Sequence, residues 1–411
     1  MRVLVITYTF PPSSHANAKR PYYLVKGMLE AGWEVDVIAS KTGIETTGRE
    51  LIDNPKFRII RIADPVWSLA GMFGRGTRWE KAIGLAANGL LWPESCRWWA
   101  LNVFSLLRNN PVHYDRVVAL VFPPAVLLAA QETDLVDARW IFDFQESVSP
   151  QYAIYPRGSP WQRLLTPKLA RLERLALQKA GAAIFTAATN QRAYIASGLV
   201  DANKCELIPH FYHSEVFAKP AQVVENFTIG YFGYFDLRGL RTPEIFLRAL
   251  AGFLAKHPEA RDRTRFVFYG KWLTVHDPFL DELGLRDVAE IHEPVPLDRY
   301  LELVKSQTVL LLLTAAKLNL FMPSKVVEYL GANRPILAFI PDDSEVAGVL
   351  RQARMSDFAC GEHDVDGGIV AIERLWERYL SGELRTAGSS TANWSSAVQV
   401  PRYLELMKRM N

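Results

Sequence analysis

The stretch NLFMPSKVVEYLGANRP, Asn319 to Pro335, sets Lys325 and Glu328 one helical turn apart, just beyond the nearly all-apolar run Val309 to Leu313. Pro323 suits a first helical turn, Val326, Val327 and Leu330 provide an apolar side, and Gly331 loosens the far end. The free backbone N–H groups of a helix that starts at Pro323 and Ser324 can hold a pyrophosphate. Lys325 would add positive charge there, and Glu328 would accept hydrogen bonds from a ribose diol, since a carboxylate offers two charged acceptors. The competing reading is an exposed i,i+3 ion pair worth roughly 0.2 to 0.5 kcal/mol. Spacing alone leaves both open.

Other segments carry weaker signals. The loop Gly233 to Arg241 offers Gly233 for close backbone approach, with Arg238 and Arg241 either as phosphate cations or as partners in surface salt bridges. Gly270 and Lys271 follow an apolar run and read as a phosphate contact or as a plain exposed turn. In the serine-rich loop Ser13-Ser14-His15, His15 has an unperturbed pKa of about 6.5, which permits proton transfer near neutrality; an ordinary loop histidine fits as well. Glu146 would orient or deprotonate a hydroxyl from the end of its strand, or stand as a solvated carboxylate, and Asp143 would bind backbone N–H groups in the turn. His210 and His213 lack the surroundings of metal ligands, and no HExxH motif or compact Asp and His cluster occurs, so no metal is expected.

These residues need a scaffold that brings strand ends together. Arg2 to Tyr8 reads as a strand, a helix should begin near Pro21 and cap at Gly32, and Glu34 to Ala39 forms the next strand, which makes a βαβ unit. Strands follow at Arg58 to Ile62, Arg116 to Val121, Trp140 to Phe144 and Ala183 to Thr186, with an amphipathic helix over Leu164 to Gln178. After the polar stretch Ala218 to Asn226 the pattern restarts: strand Thr228 to Phe232, helix Pro243 to Leu254, strand Arg265 to Tyr269, central strand Val309 to Leu313. The expected fold class is therefore α/β, with two Rossmann-like domains and mostly parallel sheets. The linker falls at 216 to 226. Ligands in such sheets sit beyond the carboxyl ends of the strands, where the candidate residues lie.

Composition agrees with two globular domains. The 411 residues are 49% hydrophobic and 22% charged, far from the disordered regime. Cys96, Cys205 and Cys360 are too scattered for a disulfide framework, which fits a reducing compartment. Met1 to Thr9 reads as a strand rather than a signal peptide, and no uncharged run is long enough to span a bilayer. A cytoplasmic location is expected. Met1 to Glu215 holds 24 Lys and Arg against 19 Asp and Glu, and the remainder 23 against 25, so the first half weakly favours an anionic surface or substrate.

PSKVVEYLGANRPILAF closely resembles the second half of the signature of GT-B glycosyltransferases with retaining stereochemistry, family 4 or group 1. That signature has two glutamates eight positions apart; Glu328 takes the second place, with its ribose-binding role, and Leu320 occupies the first. Donor-sugar contacts must then come from neighbouring backbone or another side chain. YTFPPSSHANAKRPYYLVKGMLEAGWEVDVIAS is similar to the family's opening, with Ser13, Ser14 and His15 in an often glycine-rich loop. WIFDFQESV has Gln145 and Glu146 where an Arg-Asp pair is usual, and in LIPHFYHSEVF His210 replaces a common asparagine. The family's Arg and Lys positions after the first strand of the second domain fall on Tyr234 and Gly239, leaving Arg238 and Arg241 as replacements. IHEPVPLDRY resembles a loop near the nucleobase, with backbone contacts from His292 to Pro296.

The resemblance implies two facing domains: an acceptor-binding one over 1–217, a donor-binding one over 218–380, and a C-terminal segment, 381–411, helical and returning to the first. It implies transfer of a hexose-like unit from a nucleoside diphosphate sugar to a glycan, lipid-linked or small-molecule acceptor, with no cofactor and no essential metal. His15, Glu146 and Arg238 would act in catalysis. Ser14, Gly233, Arg241, Gly270, Lys271, Pro323, Ser324, Lys325 and Glu328 would bind the donor. Surface polysaccharide, glycolipid or other glycoconjugate synthesis is the expected setting, with no nucleic acid partner. The rivals are a non-hydrolysing nucleotide-sugar epimerase and a non-catalytic carbohydrate-binding scaffold.

Trp67, Trp79, Trp92, Trp98 and Trp99 crowd into one stretch with Arg75, Arg78, Lys81 and Arg97. Tryptophan and cations together suit an anionic membrane surface, which would make the protein peripheral on the inner face of the cell membrane. The same tryptophans would also serve to fill the core.

Overall fold

The computed structural model describes residues 1–13, 15–41, 49–72, 78–109, 112–130, 139–154, 163–219, 225–235, 241–384 and 390–410. The chain divides into two compact units, Met1–His210 with Gln399–Asn411, and Phe211–Val398. The change of unit at His210 precedes the polar stretch expected to link them. Tyr212 already bridges Ser395 within the second unit, and Phe217 from the helix Ser214–Ala218 packs onto Gly331.

The first unit holds seven strands: β1 (Arg2–Ile6), β2 (Glu34–Ser40), β3 (Phe57–Ile62), β4 (Arg116–Leu120), β5 (Arg139–Phe144), β6 (Ala182–Phe185) and β7 (Cys205–Leu207). Their order is β3-β2-β1-β4-β5-β6-β7, and all pairings are parallel. β-branched and aromatic residues fill both faces, so β1, β4 and β5 read as apolar runs rather than alternating ones. One face packs Leu4, Ile6, Val117, Ala119, Phe142 and Phe144 under the helix Arg97–Asn109 and its neighbours.

The second unit repeats the plan with β8 (Phe227–Tyr234), β9 (Thr264–Lys271), β10 (Ala289–His292), β11 (Val309–Leu313), β12 (Ile336–Phe339) and β13 (Ala359–Cys360). These six run parallel in the order β10-β9-β8-β11-β12-β13. All five residues of β11 are buried, each apolar side chain contributing about 1.5 to 3 kcal/mol. In both sheets the direction of winding reverses beside the first strand, between β1 and β4 and between β8 and β11. A crevice opens at such a switch point, past the strands' carboxyl ends.

Three local expectations shift. The first helix runs Lys19–Glu30 and is led in by a 3-10 turn at Ala16–Ala18, so Pro21 lies inside its first turn, where an N–H has no intrahelical partner anyway. The helix expected over Leu164 to Gln178 spans Thr166–Lys179. β9 does not turn after Tyr269: Gly270 and Lys271 pair with Gly233 and Tyr234 at the end of β8. At the other end of the chain the helix Ser396–Arg409 carries residues from Gln399 onward into the first unit, where Arg116 Nε donates to the Met407 carbonyl at 2.9 Å.

Candidate functional site

At the switch point of the second unit, the loop after β11 leads through Pro323 into the helix Ser324–Ala332. Pro323 holds an extended conformation (ψ 130°), no side chain among the described residues caps the helix start, and Asn333 ends it in the left-handed region at φ 51°. A second helix, Glu345–Gln352, begins close by, capped by Ser344 Oγ accepting from the Ala347 N–H at 3.1 Å. Both N-termini border a small recess lined by Arg241, Thr314, Asn319, Pro323, Ser344 and Glu345, among others. Thr314 Oγ1 is buried there with no hydrogen-bond partner among the described residues. Asn319 Oδ1 accepts from the Glu345 N–H at 3.0 Å and fixes the loop against the second helix. Two helix N-termini and a guanidinium around a small recess make this a candidate place for an anion, with the Glu345 and Ala347 N–H groups of the second helix already held by Asn319 and Ser344.

Lys325 and Glu328 are not an exposed ion pair. Glu328 is only 5% exposed and accepts a hydrogen bond from the Tyr300 hydroxyl. Tyr300 packs edge-on against Phe232. Lys325 Nζ donates to the Phe232 carbonyl at 2.8 Å and lies 4.1 Å from the centre of the Tyr231 ring. Burial, with Arg241 nearby, lowers its pKa to about 7, and Glu328 only partly restores it. Gly233 takes φ +138°, and a Cβ on it would come 2.9 Å from Lys325 Nζ. Arg241 donates to the Tyr234 hydroxyl at 2.8 Å and stacks 4.6 Å over its ring. Arg238 lies outside the described residues, as does Ser14.

Gly270 is held by the neighbouring backbone of β8, and Lys271 is exposed at the end of β9. Beside them Tyr269 stacks on Phe232 on one side and on His292 on the other, with ring centres 5.5 and 4.5 Å apart. His276 is buried among Phe235, Trp272 and Phe279 and belongs to the core.

In the first unit His15 follows β1 and stacks on Phe122, which follows β4, at 5.7 Å. Its Nδ1 accepts from the Asn17 N–H at 3.3 Å. The neutral ring therefore carries its proton on Nε2, and desolvation lowers the pKa and favours that neutral form. Glu146 follows β5. Its near neighbour is a group that sequence reasoning missed: Glu94, whose Oε1 accepts from the Ala125 N–H at 3.3 Å. Burial above all, with the charge of Glu146 added, raises Glu94 to about 8. A lone glutamate in WPES gives no sequence signal of this.

Asp143 has a different role from the one expected. It pairs with the buried Arg20, Nε to Oδ2 at 2.9 Å, instead of capping backbone N–H groups. Arg20 also donates to the carbonyls of Ile208 and Pro209, at 3.0 and 2.8 Å. Burial and the nearby Arg20 push the pKa of His210 down to about 3, so it stays neutral. Among the described residues no group of three or more His, Cys, Asp or Glu side chains is placed to hold a metal ion.

No protein-family model matches the chain, and no curated protein matches it in sequence. Solved structures do match over the whole length. A sucrose-phosphate synthase from Thermosynechococcus elongatus superposes with a TM-score of 0.66 at 14% identity, over 100% of this chain and 98% of that one. A UDP-forming α,α-trehalose-phosphate synthase from Burkholderia xenovorans, in complex with glucose-6-phosphate, gives 0.62 at 14% identity, over 99% of each chain. A putative UDP-N-acetylglucosamine 2-epimerase from Listeria monocytogenes gives 0.60 at 13% identity, over 99% of this chain and 95% of that one. At such identities the likeness establishes the fold: two parallel-sheet α/β units in the GT-B plan.

Proposed function

We propose that the chain is a retaining glycosyltransferase, of family 4 or a close relative, that moves a sugar from a nucleoside diphosphate sugar to an acceptor hydroxyl. The observation that carries this reading is the convergence, at the switch point of the second unit, of two helix N-termini and Arg241, with Lys325 and Glu328 on the first of those helices. A diphosphate needs concentrated positive charge, and a ribose diol needs a paired acceptor. In this reading the diphosphate lies on Pro323, Ser324 and Lys325, and Glu328 takes the ribose, exchanging its Tyr300 bond for the diol. The base lies toward Tyr269, Lys271 and the His292 to Pro296 loop. Arg241 and Arg238 stabilise the charge that grows on the departing diphosphate. These protein cations do the work that a resident metal would otherwise do.

The first unit selects the acceptor. The neutral His15 donates from Nε2 to a sugar or phosphate oxygen, with its Nδ1 accepting from the Asn17 N–H. Glu146, with Glu94 close by, orients the acceptor hydroxyl. The anomeric carbon–oxygen bond breaks, the acceptor oxygen adds on the same face through a short-lived oxocarbenium-like pair, and the acceptor proton passes to the departing phosphate oxygen. The acceptor is a glycan, a lipid-linked sugar or a small molecule, in polysaccharide or glycoconjugate synthesis, with the protein acting in the cytoplasm.

Purified protein incubated with a panel of nucleotide sugars tests this. Nucleotide release that depends on an acceptor and leaves the anomeric configuration unchanged is expected. The epimerase-like neighbour motivates the main alternative, which predicts inversion at a sugar carbon without an acceptor. Nucleotide-sugar binding with neither reaction would leave a non-catalytic carbohydrate-binding scaffold.

A further inference from the structure

Two helices that follow β3 present a solvent-facing surface that water does not suit. The first, Pro65–Met72, contains no charged residue, and its Leu69 and Met72 stand one turn apart with 51% and 81% of their surface exposed. The second, Arg78–Leu90, exposes Arg78, Ala82, Ala86 and Leu90. These four lie at i, i+4, i+8 and i+12, so among the described side chains the outward stripe of this helix is one cation followed by apolar residues, where a surface helix ordinarily carries polar ones. The pair is closely joined: a Cβ on Gly84 would come 2.8 Å from the Trp67 ring. The apolar surface therefore belongs to one packed element. Trp99, by contrast, is fully buried and Trp92 partly so, while Trp98 is 48% exposed, so the tryptophan-rich stretch divides between core and surface.

Charge decides what covers this face. From Pro65 to Pro93 the one acidic residue is Glu80, against Arg75, Arg78 and Lys81. Arg78 sits at the same end of the helix pair as Met72. A second copy docking isologously would bring one acid, Glu80, to meet three cations, whereas an anionic bilayer offers both the apolar phase for Leu69, Met72 and Leu90 and the negative surface for Arg78. No helix among the described residues is long and apolar enough to cross a membrane, so the pair lies in the interface plane.

We propose that the helix pair Pro65–Met72 and Arg78–Leu90 docks the first unit on an anionic lipid surface. On the glycosyltransferase reading, this makes the acceptor a lipid-linked one presented at that surface. The docking itself does not depend on that reading, because lipid binding is measured without any sugar donor.

The test is co-sedimentation of the full chain with vesicles of phosphatidylcholine alone and with added phosphatidylglycerol, at low and moderate salt. Expected is recovery with the anionic vesicles, weakened by salt and at least tenfold weaker in the double variant Leu69→Glu, Met72→Glu. Leu90→Glu and Arg78→Glu should each weaken it as well, and all four substitutions, at exposed positions, should leave thermal unfolding and nucleotide-sugar binding unchanged. Recovery of the protein in the supernatant under every condition overturns the proposal. So does vesicle binding that the apolar substitutions leave intact, or lipid-free dimerisation that the double variant abolishes, which would assign the face to a second copy.

Discussion

A Cβ on Gly270 would lie 1.6 Å from the carbonyl oxygen of Gly233. The ends of β8 and β9 therefore approach more closely than any other residue at position 270 allows, and Gly270 also takes φ +152°. Gly270→Ala must push the two backbones apart, and the displaced one carries the Phe232 carbonyl to which Lys325 donates. The expected cost is about 1 to 3 kcal/mol or more of stability, read as a lower urea midpoint at unchanged slope. Gly284→Ala, at φ +62° with open space around it, should cost only its backbone strain and serves as the control.

Nucleoside diphosphate affinity should depend on pH through Lys325. Free, its pKa is lowered to about 7; beside a bound diphosphate it must rise. Below about pH 7 the ammonium is already charged and Lys325 adds no slope. Above it binding must take up a proton, so affinity falls by up to about tenfold per pH unit. Calorimetry with UDP and GDP in buffers of different ionisation enthalpy should show that proton uptake, and Lys325→Met should abolish both the uptake and the slope.

Much of the fold was legible because a buried parallel strand is an apolar run and a helix repeats at 3.6 residues; Val309–Leu313 and the two βαβ series follow from that alone. Candidates for an anion site could be picked out where chemistry is local: Pro323, Ser324, Lys325 and Glu328 lie within one turn and a half. What stayed hidden depends on distant partners. Tyr300 reaches Glu328 from another helix, Glu345 joins the recess from a separate N-terminus, and Glu94 meets Glu146 only through folding. Asp143 gave no hint that its partner is Arg20, over a hundred positions away.

Glu328→Ala should weaken nucleotide-sugar binding by roughly ten- to a hundred-fold, the usual cost of a hydrogen bond to a charged group, about 1.5 to 3 kcal/mol. Tyr300→Phe is the informative companion. If the ribose replaces the Tyr300 hydroxyl at Glu328, removing that hydroxyl should leave affinity unchanged or raise it slightly. Equal affinities for Glu328→Ala and the parent protein would reject the assignment, and a loss on Tyr300→Phe would show that the phenol is needed to hold the carboxylate in place.

Arg238→Ala and Arg241→Ala separate catalysis from binding. A cation that meets charge developing on the departing diphosphate lowers the turnover number more than it raises KM when removed. A loss of about a hundred-fold in kcat is expected for whichever arginine does this, and an unchanged kcat at saturating donor removes that residue from the catalytic set. Arg241→Lys should not restore the rate, because a lysine cannot reproduce a guanidinium stacked on Tyr234.

Stability should fall as pH rises through the weakly acid range. Glu173 is fully buried, and burial raises its pKa from the ordinary 4.5 to about 7, even though Ser149 and Tyr194 donate hydrogen bonds to it. Between about pH 4.5 and 7 the native state holds a proton that the unfolded chain has released, so unfolding becomes easier as pH increases and the effect is complete above about 7. Glu94, raised to about 8 by burial, acts with the same sign and extends the window. Glu173→Gln should flatten the lower part of the slope. It should also cost about 1 to 3 kcal/mol at every pH, because the amide carries two N–H donors where the protonated carboxyl carries one, and the second must turn the Ser149 or Tyr194 hydroxyl from donor to acceptor. Urea unfolding of the parent and Glu173→Gln at pH 5, 6, 7 and 8 decides the matter: parallel curves would mean that Glu173 is already ionised in the fold. A Glu94→Gln, Glu173→Gln protein flatter than either single variant would show that both buried carboxyls set the pH dependence.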